Sequence, residues 1–218
     1  MAKAEIFEKN VDTYEKWFHD HSLAYVSEIK AVQALLPKEG EGVEIGVGTG
    51  RFAAPLKIRH GVEPSAAMAA IARRRGVDVT EGMAEKLPFE DERFDYSLMV
   101  GALCFSDDPK AALREVHRVL KPGGVLVVGL IDPDRPLGRA KEEKKESVFW
   151  HEAACFSTAE VVALMEEAGF HDFVFTQTIF QPLEMIAEVE PVREGHGKGA
   201  FVAVRGRKQG TGGGMSRS

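Results

Sequence analysis

The chain has 218 residues, 44% of them hydrophobic, and a formal charge of −6, which suits one domain able to bury roughly 70% of its unfolded surface without disulfides or metal. The acidic balance argues against a nucleic-acid partner, which calls for a basic footprint, and no run approaches the roughly 20 apolar residues that span a bilayer. Two cysteines outside any C-x-x-C pair, Cys104 and Cys155, offer no metal framework and point to a reducing compartment, so the expectation is a soluble cytoplasmic protein with no membrane partner and no metal.

Phe7, Val11, Tyr14 and Phe18 recur at the spacing of one helical face. Tyr25, Ile29, Val32 and Leu36 repeat that spacing in a second helix, with Ser22 as its N-cap and Pro37 as its stop. Strands and helices then alternate. Strands are expected at 43–45, 58–62, 77–80, 96–100 and 125–130. The intervening helices begin near Arg51 (short, disturbed by Pro55), run from Ser65 to Arg75 with Gly76 closing, and run from 109 to 120 behind an Asp108 N-cap. The basic run Arg73 to Arg75 complements the dipole of its helix. Such alternation implies a parallel sheet with helices on both faces.

The ending differs. Residues 157–160, STAE, form a capping box that opens a helix to about Ala168, closed by Gly169. Strands at 173–178 and 200–205 follow with no helix between them, so this pair is expected to be antiparallel. The run KEEKKE at 141–146 reads as a solvated helix face, and QGTGGGMSRS at 209–218 as a disordered tail.

Residues 43–52, VEIGVGTGRF, end the first strand in three glycines spaced G-x-G-x-G. Ligands of open parallel sheets bind at strand carboxyl ends where the strand order reverses. A phosphate-binding P-loop would need G-x-x-x-x-G-K-[ST], which is absent, and a dinucleotide loop places its third glycine one residue later. Glu63 ends the second strand 17 positions after Gly46, where a carboxylate can accept both hydroxyls of a ribose. The loop therefore suits a nucleoside. No Lys or Arg precedes Arg51 in it, and the presence of phosphates stays open.

Two further stretches complete an ordered set: GMAEKLPFEDERFDYSLMV at 82–100 and EVHRVLKPGG at 115–124. With them the chain resembles, over roughly residues 40–130, the class I S-adenosylmethionine-dependent methyltransferases of the small-molecule type related to the ubiquinone-biosynthesis C-methyltransferases. The resemblance implies a Rossmann-like α/β fold: a seven-stranded, mostly parallel sheet with a C-terminal antiparallel pair and an N-terminal helical cap. It implies one domain over residues 1–208, divided into the cap (1–37), a cofactor-binding half (40–131) and an acceptor-side half (132–208).

The cofactor so implied is S-adenosyl-L-methionine. Gly46, Gly48 and Gly50 would cradle its methionine tail, with amides at the following helix start favouring the carboxylate. Glu44 would lie near the ammonium, and Glu63 with Pro64 at the ribose. Met83 and Ala84 would contact adenine, with help from Glu85, while Val100, Gly101 and Ala102 would line the other side. Many relatives carry Asp at the position of Met83, which cannot bond the adenine amino group.

The expected activity is direct transfer of a methyl group to a small-molecule acceptor, by a monomer or homodimer. The VGALCF segment after strand four lacks the N-P-P-Y type motif of methyltransferases acting on nucleobase or amide nitrogen. Tyr14, Trp17 and His19 are candidates for a lid, and Asp132, Arg135 and His151 for the acceptor side, with His151 and Tyr14 the candidate catalytic groups. Two other readings are a non-catalytic S-adenosylmethionine-binding sensor or partner subunit and an NAD-dependent oxidoreductase.

Overall fold

The computed structural model describes residues 2–135, 148–149 and 153–210. Its strands are β1 (Gly42–Ile45), β2 (His60–Glu63), β3 (Asp78–Glu81), β4 (Phe94–Val100), β5 (Leu120–Ile131), β6 (Phe170–Thr178), β7 (Arg193–Glu194) and β8 (Phe201–Lys208). They form one sheet in the order β3-β2-β1-β4-β5-β8-β6-β7. The first five pair in parallel, and β8, β6 and β7 add antiparallel. The expected C-terminal pair is thus β6 with β8. The eighth strand, β7, is a two-residue edge pairing on Thr176 and Gln177, too short to leave a period in the sequence.

Among the described residues, six α-helices flank the sheet: α1 (Ala2–Lys9), α2 (Val11–Asp20), α3 (Ser22–Gln33), α4 (Ala66–Arg74), α5 (Pro109–Val119) and α6 (Thr158–Glu167). Strand residues alternate between two cores. Leu98, Val127 and Ala203 face one with Phe18, Val32 and Ala72, while Met99, Val128 and Val202 face the other with Leu113, Val116 and Met165. All four residues of β1 are buried, as a central parallel strand covered on both faces must be.

The capping chemistry lies where the residue types place it. Ser65 accepts the N–H of Met68, Asp108 accepts that of Ala111, and Ser157 forms a reciprocal box with Glu160. Three local expectations differ. The first amphipathic helix is two, broken at Asn10. The N-cap of α3 is His21, not Ser22: the His21 N–H already closes α2 on the Trp17 carbonyl, so one residue serves both helix ends. Residues 51–57 make successive turns and no helix. Pro55 has no N–H for the Arg51 carbonyl, and the Tyr25 hydroxyl donates to that carbonyl instead. The 141–146 run, His151 and residues 211–218 lie outside the described residues.

From β1 the chain crosses to β2 on one side, and β4 returns on the other, in register with Gly42 opposite Tyr96. The order reverses between β1 and β4, and the loops that follow these two strands form the floor of the site. No helix among the described residues is long and apolar enough to cross a membrane.

Candidate active site

Gly46, Gly48 and Gly50 all have positive φ, at 69°, 54° and 80°, which only glycine adopts without strain. A Cβ on Gly46 would lie 2.5 Å from the Cβ of Ala102, so the loops after β1 and β4 touch there. A Cβ on Gly48 would lie 3.2 Å from the Tyr14 hydroxyl, so the backbone is bare directly beneath α2. Gly50 serves the fold instead, turned against Ala72 and Val77 of the α4 region.

Glu63 ends β2 with a buried carboxylate whose Oε2 accepts Gly48 N–H at 2.8 Å and Oε1 accepts Ser65 N–H at 3.0 Å. Burial pushes its pKa up, partly offset by those two amides. Glu44 is only 1% exposed, and its Oε2 has no hydrogen-bond partner among the described residues. Burial pushes its carboxyl well above the usual range, with Glu63 adding to the rise.

Over this floor opens a cavity of about 1310 Å³, larger than the roughly 300–1,000 Å³ typical of one small ligand. There is room for two small molecules side by side. Of the residues expected in the cofactor site, Gly46, Gly48, Glu63, Pro64, Met83, Ala84, Glu85, Val100, Gly101 and Ala102 all line it, and Glu44 and Gly50 stand behind the wall. The Glu85 carboxylate also accepts Ser106 Oγ and the amides of Asp107 and Asp108. It thereby ties the segment after β3 to the one after β4. Partial burial raises its pKa, but these hydrogen bonds outweigh that and hold it low.

The roof comes from α1 and α2. Glu15 receives both Arg51 and Arg75 and the Thr49 hydroxyl. Glu8 accepts the Ser65 hydroxyl at 2.5 Å and the Ala67 amide at 3.0 Å, at the start of α4. Arg51, the cation nearest the glycine loop in sequence, is thus engaged with the roof and with the rings of Phe18 and Tyr25. Phe7 stacks on Phe149 and meets Phe105 edge-on. Tyr14 and Trp17 line the cavity as a lid requires, whereas His19 does not: its side chain is 88% exposed beside Asp20. The Tyr14 hydroxyl stays protonated, its acidity suppressed by burial and by Glu44 and Glu63, so it is poorly suited to take up a proton.

Asp132 and Arg135 stand apart from the cavity. Asp132 is fully buried, accepting Thr158 Oγ1 at 2.7 Å and the Asp134 amide at 2.9 Å, and Arg135 leans on it. These groups tie the end of β5 to the start of α6. Sequence reasoning missed Glu28 and His21, both of which line the cavity. Glu28 occupies the i+3 slot of the apolar face begun by Tyr25, and an acid there was the available signal.

Residues 43–128 match a family model described as a methyltransferase domain. A crystal structure from Thermotoga maritima, described as an S-adenosylmethionine-dependent methyltransferase and possible histamine N-methyltransferase, is 56% identical. The match covers 94% of this chain and 99% of that one, with a TM-score of 0.91. An uncharacterized protein of Methanocaldococcus jannaschii is 45% identical over 93% of this chain and 98% of its own length. A demethylmenaquinone methyltransferase of Staphylococcus epidermidis is 31% identical over 47% of this chain and 51% of its own.

Proposed function

The chain belongs to the class I S-adenosylmethionine-dependent methyltransferases, and we propose that it transfers the methyl group of that cofactor to a small molecule held beneath α2 and α3. The observation that carries this reading is the pairing of Glu63 with the bare Gly48 backbone, on a cavity whose described walls hold no Lys or Arg. That combination suits a nucleoside without phosphates and disfavours a nicotinamide dinucleotide, whose pyrophosphate would face carboxylates.

The residues present fit the cofactor. The unpartnered Oε2 of Glu44, buried behind the glycine loop, would favour an ammonium group on the loop in front of it. Glu63 has lone pairs left for ribose hydroxyls after accepting two amides. Met83 and Ala84 would lie along adenine, held by packing and backbone since Met83 offers no acceptor, and Pro64 beside the ribose. Val100, Gly101 and Ala102 would close the opposite side. When bound, S-adenosylmethionine supplies an electrophilic methyl group on a sulfonium.

The chain's own part is alignment. Orientation of two bound reactants can supply roughly 7–11 kcal/mol of barrier lowering, and a base is needed only for an acceptor that must lose a proton. The roof, anchored through Glu8 and Glu15, excludes water and fixes the acceptor against the floor. Isothermal titration with S-adenosylhomocysteine, followed by transfer of labelled methyl to a panel of small acceptors, tests the reading. Absence of cofactor binding at high micromolar concentration would sink it. Tight binding without transfer to any acceptor would favour the sensor instead.

A further inference from the structure

Glu28 lies on α3, 6% exposed, with its carboxyl on the cavity wall. No described residue gives that carboxyl a hydrogen bond or an ion pair, and burial alone pushes it up to about 8. A buried acid without a partner costs stability, so its presence on a wall otherwise rich in apolar side chains asks for a ligand. Its position says which ligand. The helix α3 is bound to β6 and to the segment leading into β7, with Thr176 Oγ1 donating to the Ala31 carbonyl and Ser27 Oγ accepting the Glu190 amide. These strands lie beyond β4 and β5, on the opposite side of β1 from β2, where Glu63 stands. The two acids are therefore carried on the cavity wall by different parts of the sheet.

The surroundings favour positive charge. Five carboxyl residues line the cavity, Glu28, Glu63, Glu85, Asp107 and Glu184, against no Lys or Arg among the described residues. Trp17 and His21 also line the cavity, stacked at 5.1 Å with 30° between their planes, and His21 stands seven positions before Glu28, about two helical turns along the same face. Aromatic faces next to a carboxylate make a setting that attracts ammonium and imidazolium groups.

We infer that Glu28 is the docking point for a protonated nitrogen carried by the methyl acceptor. The inference rests on the methyl-transfer reading for the other occupant. A nitrogen that keeps its proton has no lone pair to give, so the atom methylated is a second one, and Glu28 determines specificity by orientation.

Three probes of one shape separate the possibilities: 2-phenylethylammonium, 2-phenylethanol and phenylacetate, each titrated into protein saturated with S-adenosylhomocysteine. The cation should bind at least roughly 10-fold more tightly than the other two, and Glu28→Gln should remove that advantage without changing the affinity for the alcohol. S-adenosylhomocysteine should bind Glu28→Gln as it binds the wild type. The amide matches a protonated carboxyl in size, and an unchanged melting temperature checks the fold. Should that variant unfold, Glu28→Asp keeps the charge but withdraws it by one methylene, and should cost the cation several-fold. Equal binding of alcohol and cation, no cation binding at millimolar concentration, or full cation affinity in both variants overturns the inference. Failure of S-adenosylhomocysteine to bind the wild type counts instead against methyl transfer, and titrating the cation into the free protein then judges Glu28 alone.

Discussion

Glu63 accepts the backbone N–H of Gly48 at 2.8 Å, so the acid that ends β2 fixes the shape of the loop that ends β1. One carboxylate thus shapes the cradle and offers acceptors into it. Glu63→Ala should weaken S-adenosylhomocysteine binding by about 1–3 kcal/mol, since ribose hydroxyls would be left unpaired. Calorimetric titration reads this directly, and an unchanged affinity removes the role.

Gly46 and Ala102 define the contact between the two floor loops. Gly46→Ala adds a Cβ at 2.5 Å from that of Ala102, on a backbone with φ of 69°. The expected cost is about 1–3 kcal/mol of stability, together with loss of cofactor binding. Ala102→Gly in the same chain should recover the steric part and leave the backbone strain. A double-mutant cycle on melting temperature separates the two, and additive effects would refute the contact.

Glu15 should give stability a measurable acid limb. Partial burial raises its carboxyl, but hydrogen bonds from Arg75, Arg51 and Thr49 outweigh that and hold it at about 2. A depressed folded pKa stabilises above the unfolded value of 4.5 and loses that contribution as pH falls from 4.5 toward 2. Glu15→Gln should cost about 1–2 kcal/mol at neutral pH after allowance for solvent screening, and the gap from wild type should shrink near the bottom of that window. Denaturant titrations at several pH values would show it. A pH-independent gap would mean that packing, not charge, secures α2.

Asp132 provides the contrast. Asp132→Ala takes away the acceptor of the buried Thr158 hydroxyl and should cost about 1–3 kcal/mol. S-adenosylhomocysteine affinity should stay within about twofold, because Asp132 lies off the cavity. A large fall in affinity with the fold intact would return it to the site.

Short-range chemistry was legible in the sequence. Ser65, Asp108 and Ser157 cap the helices their neighbours foretell, and Gly48 meets Glu63 across the adjacent ends of β1 and β2. What escaped depends on distance along the chain. The break at Asn10 follows from α1 turning toward Ser65 through Glu8, a contact 57 residues away. Tyr25 reads as core from its period, and only the fold reveals that its hydroxyl takes the carbonyl left free by Pro55. Glu28 was hidden in the same way: an acid in an apolar stripe is conspicuous, but nothing local says whether it meets a partner, solvent or a cavity.

The attachment of α2 has a kinetic consequence. A nucleoside seated on the glycine loop would lie beneath α2, and the contacts from Glu15 to Arg51 and Arg75 that hold this helix should then lengthen its residence time. These side chains are about a quarter exposed, open enough for salt to weaken them. Added salt should therefore shorten the residence time of the spent nucleoside, and turnover limited by its escape would quicken as ionic strength rises.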